Sequence, residues 1–442
     1  MFPSKLAGWL MPLLGLTAVF GQAQDFSQTR AAQAQAVLDR ARAQIDKTID
    51  SLPRYICIEN VEREYLHPPK PLLPDINSCP TIEGGLGPNL RLRATDRVRL
   101  EVAVSDGGEI DSWPEASQFD TRGIDIIQRG PISSGAFGTN LAGVFQNPGA
   151  KIEFTRAETR DGRTVFVYRY QVPVEASQHM VRLLDGTRWR TGYSGNLEIA
   201  ADLAELIRLT IETDRLPPYS GICRARSVNT YHHLKIGNGE FLIPVTSTFE
   251  TVFLDGTATA STTTFSGCHE YAVETTIRFD AGETVAEEPP APIVQIKPLP
   301  PAIRLGLRLD SPIDTEKAAA GDVVWARIER PDRDRKRPSQ VPEGMRVRGR
   351  IMRAMHSLSE ERGFEIEITF DAMGDTNPVA FAGMALPKKP RLPKPTGRGV
   401  KLSVRETPTG GVFKIRTKLK NVVLPAGTRF EWITSALAPP VT

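Results

Sequence analysis

One short segment of the chain places a serine where a hydrolase could use it as a nucleophile. Ser194 lies in Gly-Tyr-Ser-Gly-Asn, at residues 192–196. A nucleophile elbow has glycines two residues before and two residues after the serine, on a turn between a strand and a helix. Here the second glycine is missing from its place, and the segment leads into an alternating run that is typical of a strand. The sequence therefore predicts no catalytic role for Ser194.

The histidines are the other candidates for catalysis or metal binding. His232 and His233 are adjacent in a predicted strand, so their side chains point to opposite faces and only one could line a site. His269 follows Cys268, but no second histidine stands at the spacing of a zinc-protease helix. The sequence also contains no P-loop and no glycine-rich dinucleotide motif after a strand. We therefore predict no enzymatic activity, no metal and no cofactor.

The N-terminus predicts export from the cytoplasm. Lys5 precedes an apolar run and the small-residue site Gly21-Gln22-Ala23, which is the layout of a cleavable secretory signal over residues 1–23. A membrane-anchoring helix is the weaker interpretation, because the run is shorter than the roughly 20 residues that span a bilayer and contains proline. The mature chain is expected to be soluble in the periplasm or secreted.

The four cysteines are best explained as disulfide partners. An even number of cysteines in an exported chain favours disulfide bonds, and no Cys-x-x-Cys pair or Cys/His cluster has metal-ligand spacing. Four cysteines allow three pairings. We favour the nested pairing, which ties together the first and last strands of one domain: Cys57 with Cys268 and Cys79 with Cys223.

A proline-rich segment divides the chain into two parts of opposite charge. Residues 285–301 lack hydrophobic periodicity, which indicates a linker between domains at 24–284 and 302–442. Residues 24–295 carry 27 Lys/Arg and 36 Asp/Glu, a net charge of −9, whereas residues 296–442 carry 27 and 16, a net charge of +11. This asymmetry fits attraction between the domains, contact with an anionic envelope surface, or two solvated faces.

Two basic segments of the second part could contact an anionic surface. Residues 330–338 also contain aspartates, as a solvated hairpin tip would. Residues 387–401 are rich in proline and have no acidic residue, so they are the better candidate. Their basic residues are Lys388, Lys389, Arg391, Lys394, Arg398 and Lys401. No aromatic residues are interleaved for base stacking, which argues against nucleic acid as a partner.

The first domain is predicted to consist of one helix followed by strands. Residues 27–50 place six apolar side chains on one helical face: Ala34, Val37, Leu38, Ala41, Ile45 and Ile49. From residue 55 onwards, alternating runs are separated by the hairpin signals Asp161-Gly162, Asn238-Gly239 and Asp255-Gly256. These features predict a mainly β domain, in which a curved antiparallel sheet is partly filled by an amphipathic helix.

Residues 196–214 fit either a helix or a hairpin, because helix formers are abundant but apolar residues alternate on both sides of Asp202. The order of elements resembles the lipoprotein-carrier superfamily of LolA, LolB and the RseB sensor domain. In this chain the order is a leading helix and a long first strand, then the segment YRYQVPV at 168–174, then residues 192–217, and finally a three-stranded meander. The resemblance covers residues 26–280 and favours the hairpin. It implies a half-barrel whose hydrophobic concave face holds acyl chains or a hydrophobic peptide.

A turn containing proline recurs three times in the second domain, before an arginine and alternating apolar residues. Proline at a strand start removes no ladder hydrogen bond, and the glycine in two of these turns supplies a positive φ. The repeats therefore predict strand starts at Arg304, Arg346 and Arg429. Short strands between them predict a small basic β-barrel, since closure removes exposed edges.

The second domain also resembles a known family. Residues 303–331 followed by 341–352 are similar to the β-domain of TrbI-like conjugation and outer-membrane channel proteins, in which a Pro-x-Gly turn starts a strand. The resemblance covers residues 299–435. It implies the fold and a tendency to assemble or dock. Channel formation is not implied, because the membrane-crossing extension of those proteins has no counterpart in this sequence.

These features together predict an exported, non-catalytic binding protein that holds a lipid, a lipidated peptide or a hydrophobic peptide in the half-barrel. The alternative is a structural module of a cell-envelope complex that docks through the basic barrel onto an envelope protein. A hollow that is apolar and open to solvent would support the first function. A packed interior with a large exposed flat patch would support the second.

Overall fold

A computed structural model describes most of the chain. The described residues are 17–51, 55–69, 78–80, 82, 89–105, 108–116, 127, 130–236, 239–270, 303–329, 342–359, 362–373, 379–380, 383–385, 400–407 and 410–434. The predicted linker at 285–301 lies outside them, and so do residues 1–16 of the predicted signal peptide and five of the six basic residues of segment 387–401.

The described residues are mainly β, as predicted. The helices are α1 (Thr17–Ser51) and α2 (Thr139–Phe145). The strands of the first part are β1 (Tyr55–His67), β2 (Arg91–Ser105), β3 (Gly108–Ser112), β4 (Lys151–Arg160), β5 (Arg163–Val172), β6 (Met180–Arg182), β7 (Arg188–Arg190), β8 (Tyr193–Ala200), β9 (Glu205–Thr213), β10 (Ile222–Ile236), β11 (Gly239–Phe253) and β12 (Ala258–Glu270).

The strands of the second part are shorter. They are β13 (Arg304–Leu309), β14 (Ile313–Asp314), β15 (Val323–Glu329), β16 (Arg346–Ser357), β17 (Gly363–Met373), β18 (Val379–Ala380), β19 (Gly383–Ala385), β20 (Lys401–Thr407), β21 (Gly410–Arg416), β22 (Val423–Leu424) and β23 (Arg429–Thr434). Arg304, Arg346 and Arg429 are the first residues of their strands, which confirms the prediction from the repeated turn. Gly344 and Gly427 in these turns have φ of +84° and +82°.

Helix α1 buries the apolar face that its sequence predicts. Ala34, Val37, Leu38, Ala41 and Ile45 are each at most 3% exposed. The hydroxyl of Tyr168 donates a hydrogen bond to the carbonyl of Ala34 at 2.7 Å, which fixes the helix to β5. The helix begins at Thr17, ten residues earlier than predicted, and continues through the expected cleavage site. The prediction of an amphipathic helix with a partner surface is confirmed, with this earlier start.

The sheet of the first part curves around α1. Its strands are hydrogen-bonded in the antiparallel order β4-β5-β8-β9-β10-β11-β12-β1-β2-β3. Helix α1 contacts β4 and β8 and also β11, which lies five positions from β4. The helix therefore packs against strands at both ends of a stretch of six neighbouring strands, as expected for a helix that partly fills a half-barrel.

Residues 193–213 form the hairpin β8–β9, which confirms the choice of strands over a helix. Leu197 pairs with Leu209 across the hairpin, and both side chains are fully buried. The turn between the strands includes Asp202, which receives two hydrogen bonds from the guanidinium of Arg163. Burial of one face against α1 therefore overrides the helix propensity of this segment.

The second part closes into a small barrel. Its strands are hydrogen-bonded in the order β19-β23-β13-β15-β16-β17-β21-β20, and β19 and β20 at the two edges come into contact. Trp432 is 1% exposed at the centre of the barrel, where its ring meets that of Phe370 edge to face at 4.8 Å between centroids. Aliphatic and aromatic side chains from all sides fill the interior.

The two parts are joined by backbone hydrogen bonds along the outer edge of β2. One stretch of this edge pairs with β3, and another pairs with β16 in the register Asp96 to Met355. Between these two stretches, the backbone N–H of Arg99 donates a hydrogen bond to the carbonyl of Ala320 at 2.7 Å. The backbone N–H of Ala320 donates in turn to the carbonyl of Arg97 at 2.8 Å. The whole edge is therefore covered, and both parts contribute to one continuous sheet.

Two disulfides fasten the first part. Cys57–Cys268 connects the neighbouring strands β1 and β12, and Cys79–Cys223 connects the segment before β2 to the start of β10. This is the nested arrangement favoured from the sequence. The outer bridge brings together residues 211 positions apart, so it holds the two ends of the half-barrel domain in place.

Candidate functional site

A cavity of about 360 Å³ opens on the concave face of the half-barrel, beside α2. Its floor consists of side chains from strands β9, β10 and β11, namely Ile211, Thr213, Ala225, Ser227 and Phe249. One wall is formed by residues 132–135 and the first turn of α2. The opposite wall is the hairpin β6–β7 with the residues that precede it. The cavity is therefore the part of the hollow that α1 and α2 leave open.

Polar groups line every side of this cavity, and its arginines are on the wall formed by β6 and β7. The ring of His179 packs against that of Tyr193 at 5.2 Å between centroids, and the Tyr193 hydroxyl donates to the carbonyl of Gly143 at 2.7 Å. Burial lowers the pKa of His179, which keeps its imidazole neutral near pH 7. Arg182 and Arg188 line the same side. A floor of apolar and hydroxyl side chains next to a basic wall is suited to an amphipathic ligand.

Glu109 holds the wall of the cavity in place. Its carboxylate accepts hydrogen bonds from the backbone N–H groups of Gly135 and Phe137, both at 2.7 Å, and of Gly138 at 3.3 Å. The Phe137 ring packs edge to face against Phe265 at 4.8 Å between centroids. The Tyr231 hydroxyl donates to the carbonyl of Ala136 at 2.9 Å. Because these contacts fix residues 135–138, the cavity is preformed.

Two further carboxyl groups lie buried close to Glu109. Glu59 on β1 and Asp111 on β3 are 3% and 4% exposed, and their side chains are hydrogen-bonded to each other. Burial and the neighbouring carboxylates raise the pKa of Glu59 well above its usual value. Burial, together with the charge of Glu109, raises the pKa of Asp111 to about 7. The pair therefore retains a proton at a pH where exposed carboxyl groups are ionised.

This pair predicts a pH dependence of stability. A carboxyl group with a raised pKa in the folded state binds its proton more tightly there than in the unfolded chain, so the free energy of unfolding falls as pH rises through the folded value. For Asp111 the decrease is expected between about pH 4 and pH 7, and it amounts to about 4 kcal/mol. Urea denaturation at several pH values measures it.

The matched variants for this test are Asp111→Asn and Asp202→Asn. The first removes the raised group and should flatten the decrease. The second removes an exposed carboxyl group whose pKa is lowered by the hydrogen bond from Arg163, so it should leave the dependence between pH 5 and 8 unchanged. A slope that is the same in the wild type and in Asp111→Asn would show that the pair does not share a proton.

The candidates singled out from the sequence lie away from the cavity. His232, His233 and His269 are exposed, and Ser194 is half-buried on β8 outside the cavity lining. Lys401 is exposed at the start of β20. The other five predicted contact residues, Lys388, Lys389, Arg391, Lys394 and Arg398, lie outside the described residues. The anionic-surface role of this segment stays a prediction.

Sequence reasoning missed the residues that do line the cavity. Asp185-Gly186, between two short alternating runs, is the same hairpin signal as those used elsewhere, and it would have indicated β6–β7. No comparable signal marks Glu109 as a buried anchor. Within the described ranges, no group of three or more His, Cys, Asp or Glu side chains is arranged to hold a metal ion. The same residues include no helix that is long and apolar enough to span a bilayer.

Comparisons with known proteins give only distant likenesses. No family model and no curated protein matches the chain. Among solved structures, a LolA superfamily protein from Nitrosomonas europaea is similar at 11% identity and a TM-score of 0.25, over 54% of this chain and 94% of that chain. A DUF1329 family protein from Desulfovibrio piger is similar at 11% identity and a TM-score of 0.24, over 55% and 94%.

The lipoprotein LppX from Mycobacterium tuberculosis is similar at 12% identity and a TM-score of 0.19, over 54% of this chain and 98% of that chain. At such low identities and TM-scores, these similarities do not indicate which ligand this chain binds. The resemblance of the second part to TrbI-like proteins stays a prediction.

Proposed function

We propose that this protein is an exported, non-catalytic binding protein that holds an amphipathic ligand in the cavity of the half-barrel. The ligand class is a lipid, a lipidated peptide or a hydrophobic peptide. The observation that carries the proposal is a preformed cavity that is open to solvent, has apolar and hydroxyl side chains on its floor and is basic at one wall. The sequence resemblance to lipoprotein carriers is consistent with it.

The dimensions of the cavity limit what can bind. Ligand cavities usually measure about 300–1,000 Å³, and this one is near the lower limit. It suits one acyl chain or a few side chains of a peptide, and not a complete two-chain lipid. Burial of the apolar part contributes roughly 25 cal/mol per Å² to binding. Arg182 and Arg188 favour a ligand whose polar end is anionic.

A variant that fills the cavity tests the proposal. Ala225 points into the cavity and Arg226, its neighbour on β10, is exposed on the other face. Ala225→Phe is expected to reduce the affinity for a fluorescent fatty acid by at least about tenfold, because the ring would occupy the ligand volume. Arg226→Phe adds the same ring outside the cavity and should bind as the wild type does. Fluorescence titration of protein purified without detergent measures both.

The result against the proposal is equally clear. If the wild type neither binds the fatty acid nor carries lipid detectable by mass spectrometry after purification without detergent, the ligand assignment fails. Retention of full affinity by Ala225→Phe would mean that the probe binds elsewhere.

The second candidate is a structural module of an envelope complex. The observation that favours it is that α1 and α2 fill a large part of the hollow with buried side chains, so much of the concave face is ordinary core. This function predicts no ligand in the mass spectrum. Mass spectrometry of the protein purified without detergent therefore distinguishes the two functions.

A further inference from the structure

Three large apolar side chains are exposed together on the hairpin β6–β7 and the adjacent 3₁₀ helix Pro218–Ser220. Leu184 is 70% exposed, Tyr219 is 72% exposed and Trp189 is 41% exposed. The rings of Trp189 and Tyr219 meet edge to face at 6.1 Å between centroids. Leu184 lies beside Gly221, where an added Cβ would be 3.2 Å from its Cδ1. We refer to these three side chains as the Trp189 patch.

The patch stands on a rigid base. Beneath it, Val181, Leu183, Leu216 and Ile222 form a buried cluster that fixes the hairpin to β10. The tip of the hairpin is closed by a hydrogen bond from the backbone N–H of Leu183 to the carbonyl of Thr187 at 2.8 Å. Because the backbone that carries these side chains is already fixed, docking requires no ordering of the hairpin.

The surroundings of the patch are basic. Residues 180–190 and 214–221 contain four arginines, Arg182, Arg188, Arg190 and Arg215, and two acidic residues, Asp185 and Asp214. A third acidic residue, the exposed Asp255, is nearby, because the backbone N–H of Leu254 donates to the carbonyl of Gly221 at 2.8 Å. The Asp185 carboxylate accepts hydrogen bonds from the N–H and the hydroxyl of Thr187, so it is occupied within the turn. This local excess of positive charge lies in a part of the chain whose net charge is −9. It is therefore complementary to an anionic partner.

We propose that the Trp189 patch docks the protein on the surface of an anionic lipid bilayer. Tryptophan and tyrosine favour the interface between lipid and water, because their rings are apolar and carry one polar group. Leu184, at the tip, would enter the region between head groups and acyl chains. Arg215 is exposed and would meet the anionic head groups.

Docking in this way would bring the cavity close to the membrane. Arg182 and Arg188 face each other across the hairpin and line the cavity, whereas Trp189 belongs to the other face of the same strand. One hairpin thus carries both the membrane contact and one wall of the cavity. The proposal does not rest on the proposed function, since a docking module would need no ligand.

Vesicle flotation tests the proposal. The full mature chain is mixed with phosphatidylcholine vesicles that contain or lack phosphatidylglycerol. We expect the wild type to float with the anionic vesicles only. Leu184→Ala/Trp189→Ala/Tyr219→Ala should weaken this partition by at least about tenfold. Arg215→Glu should weaken it by about fivefold or more, and the wild type should lose part of its binding at high salt.

The matched control is Leu203→Ala. Leu203 is also a leucine at a hairpin tip, 61% exposed, but it lies between β8 and β9. It should float as the wild type does. Thermal unfolding followed by circular dichroism verifies that every variant is folded. No flotation of the wild type with anionic vesicles, or equal flotation of the triple variant and the wild type, would overturn the proposal. Fatty-acid titration of the triple variant tests the cavity separately.

Discussion

Replacement of Cys57 and Cys268 by alanine is expected to lower the free energy of unfolding by about 4 kcal/mol. A disulfide restricts the unfolded chain, and the restriction grows with the loop that the bond closes. The sequence separation is 211 residues, but the inner bridge Cys79–Cys223 spans 144 of them. The outer bond therefore closes a loop of roughly 70 residues when the inner bond is intact, for which the chain-entropy relation gives the stated loss.

The nested arrangement makes a second variant informative. With the outer bond intact, Cys79→Ala/Cys223→Ala opens a loop of similar effective size. The free energy of unfolding should therefore fall by about as much as it does when the outer bond is removed. Removal of both bonds should cost more than either single removal. Urea denaturation followed by tryptophan fluorescence measures each free energy. If replacing either pair lowers the free energy of unfolding by less than about 1 kcal/mol, the bonds do not stabilise the protein by restricting the unfolded chain.

Asp96→Ala is expected to lower the free energy of unfolding by about 3–5 kcal/mol. The guanidinium of Arg63 donates two hydrogen bonds to the Asp96 carboxylate, at 2.5 and 2.7 Å, and the Tyr65 hydroxyl donates a third at 3.0 Å. The side chains of Arg63 and Asp96 are only 7% and 4% exposed. Removal of the carboxylate alone would leave a buried positive charge without its partner, which is the costly case for ion pairs.

Two controls identify the cause. Glu62→Ala removes the exposed pair that Glu62 forms with Arg97 at 3.3 Å, and it should cost less than about 1 kcal/mol. Arg63→Met/Asp96→Leu removes both buried charges, so it should recover much of the stability lost in Asp96→Ala. Urea denaturation under the same conditions compares the three. A loss in Glu62→Ala as large as that in Asp96→Ala would contradict the explanation by burial.

Local patterns in the sequence were sufficient for much of the fold. The apolar positions of α1 were predicted because one helical face must be buried, and the turn before Arg346 was predicted because glycine allows a positive φ there. The hairpin β8–β9 needed more than propensity. Its helix-forming residues are compatible with strands because Leu197 and Leu209 are buried on the same face.

The candidate site was much harder to foresee. Glu59 and Arg63 are charged, yet they lie on the buried face of β1, where alternation alone would place apolar residues. Their burial depends on Asp111 and Asp96, which belong to other strands. Such partners are brought together by the tertiary fold and not by neighbours in the chain. The cavity wall likewise depends on Glu109, whose backbone partners are more than 25 positions away.

The covered edge of β2 also has a consequence for any attempt to divide the protein. A fragment that ends before residue 285 would lose β16 and Ala320, and it would leave the N–H and C=O groups of Ala94–Arg99 without their strand partners. Bare edges of this kind recruit foreign strands. Such a fragment should self-associate in gel filtration, where the full chain would not do so through this edge.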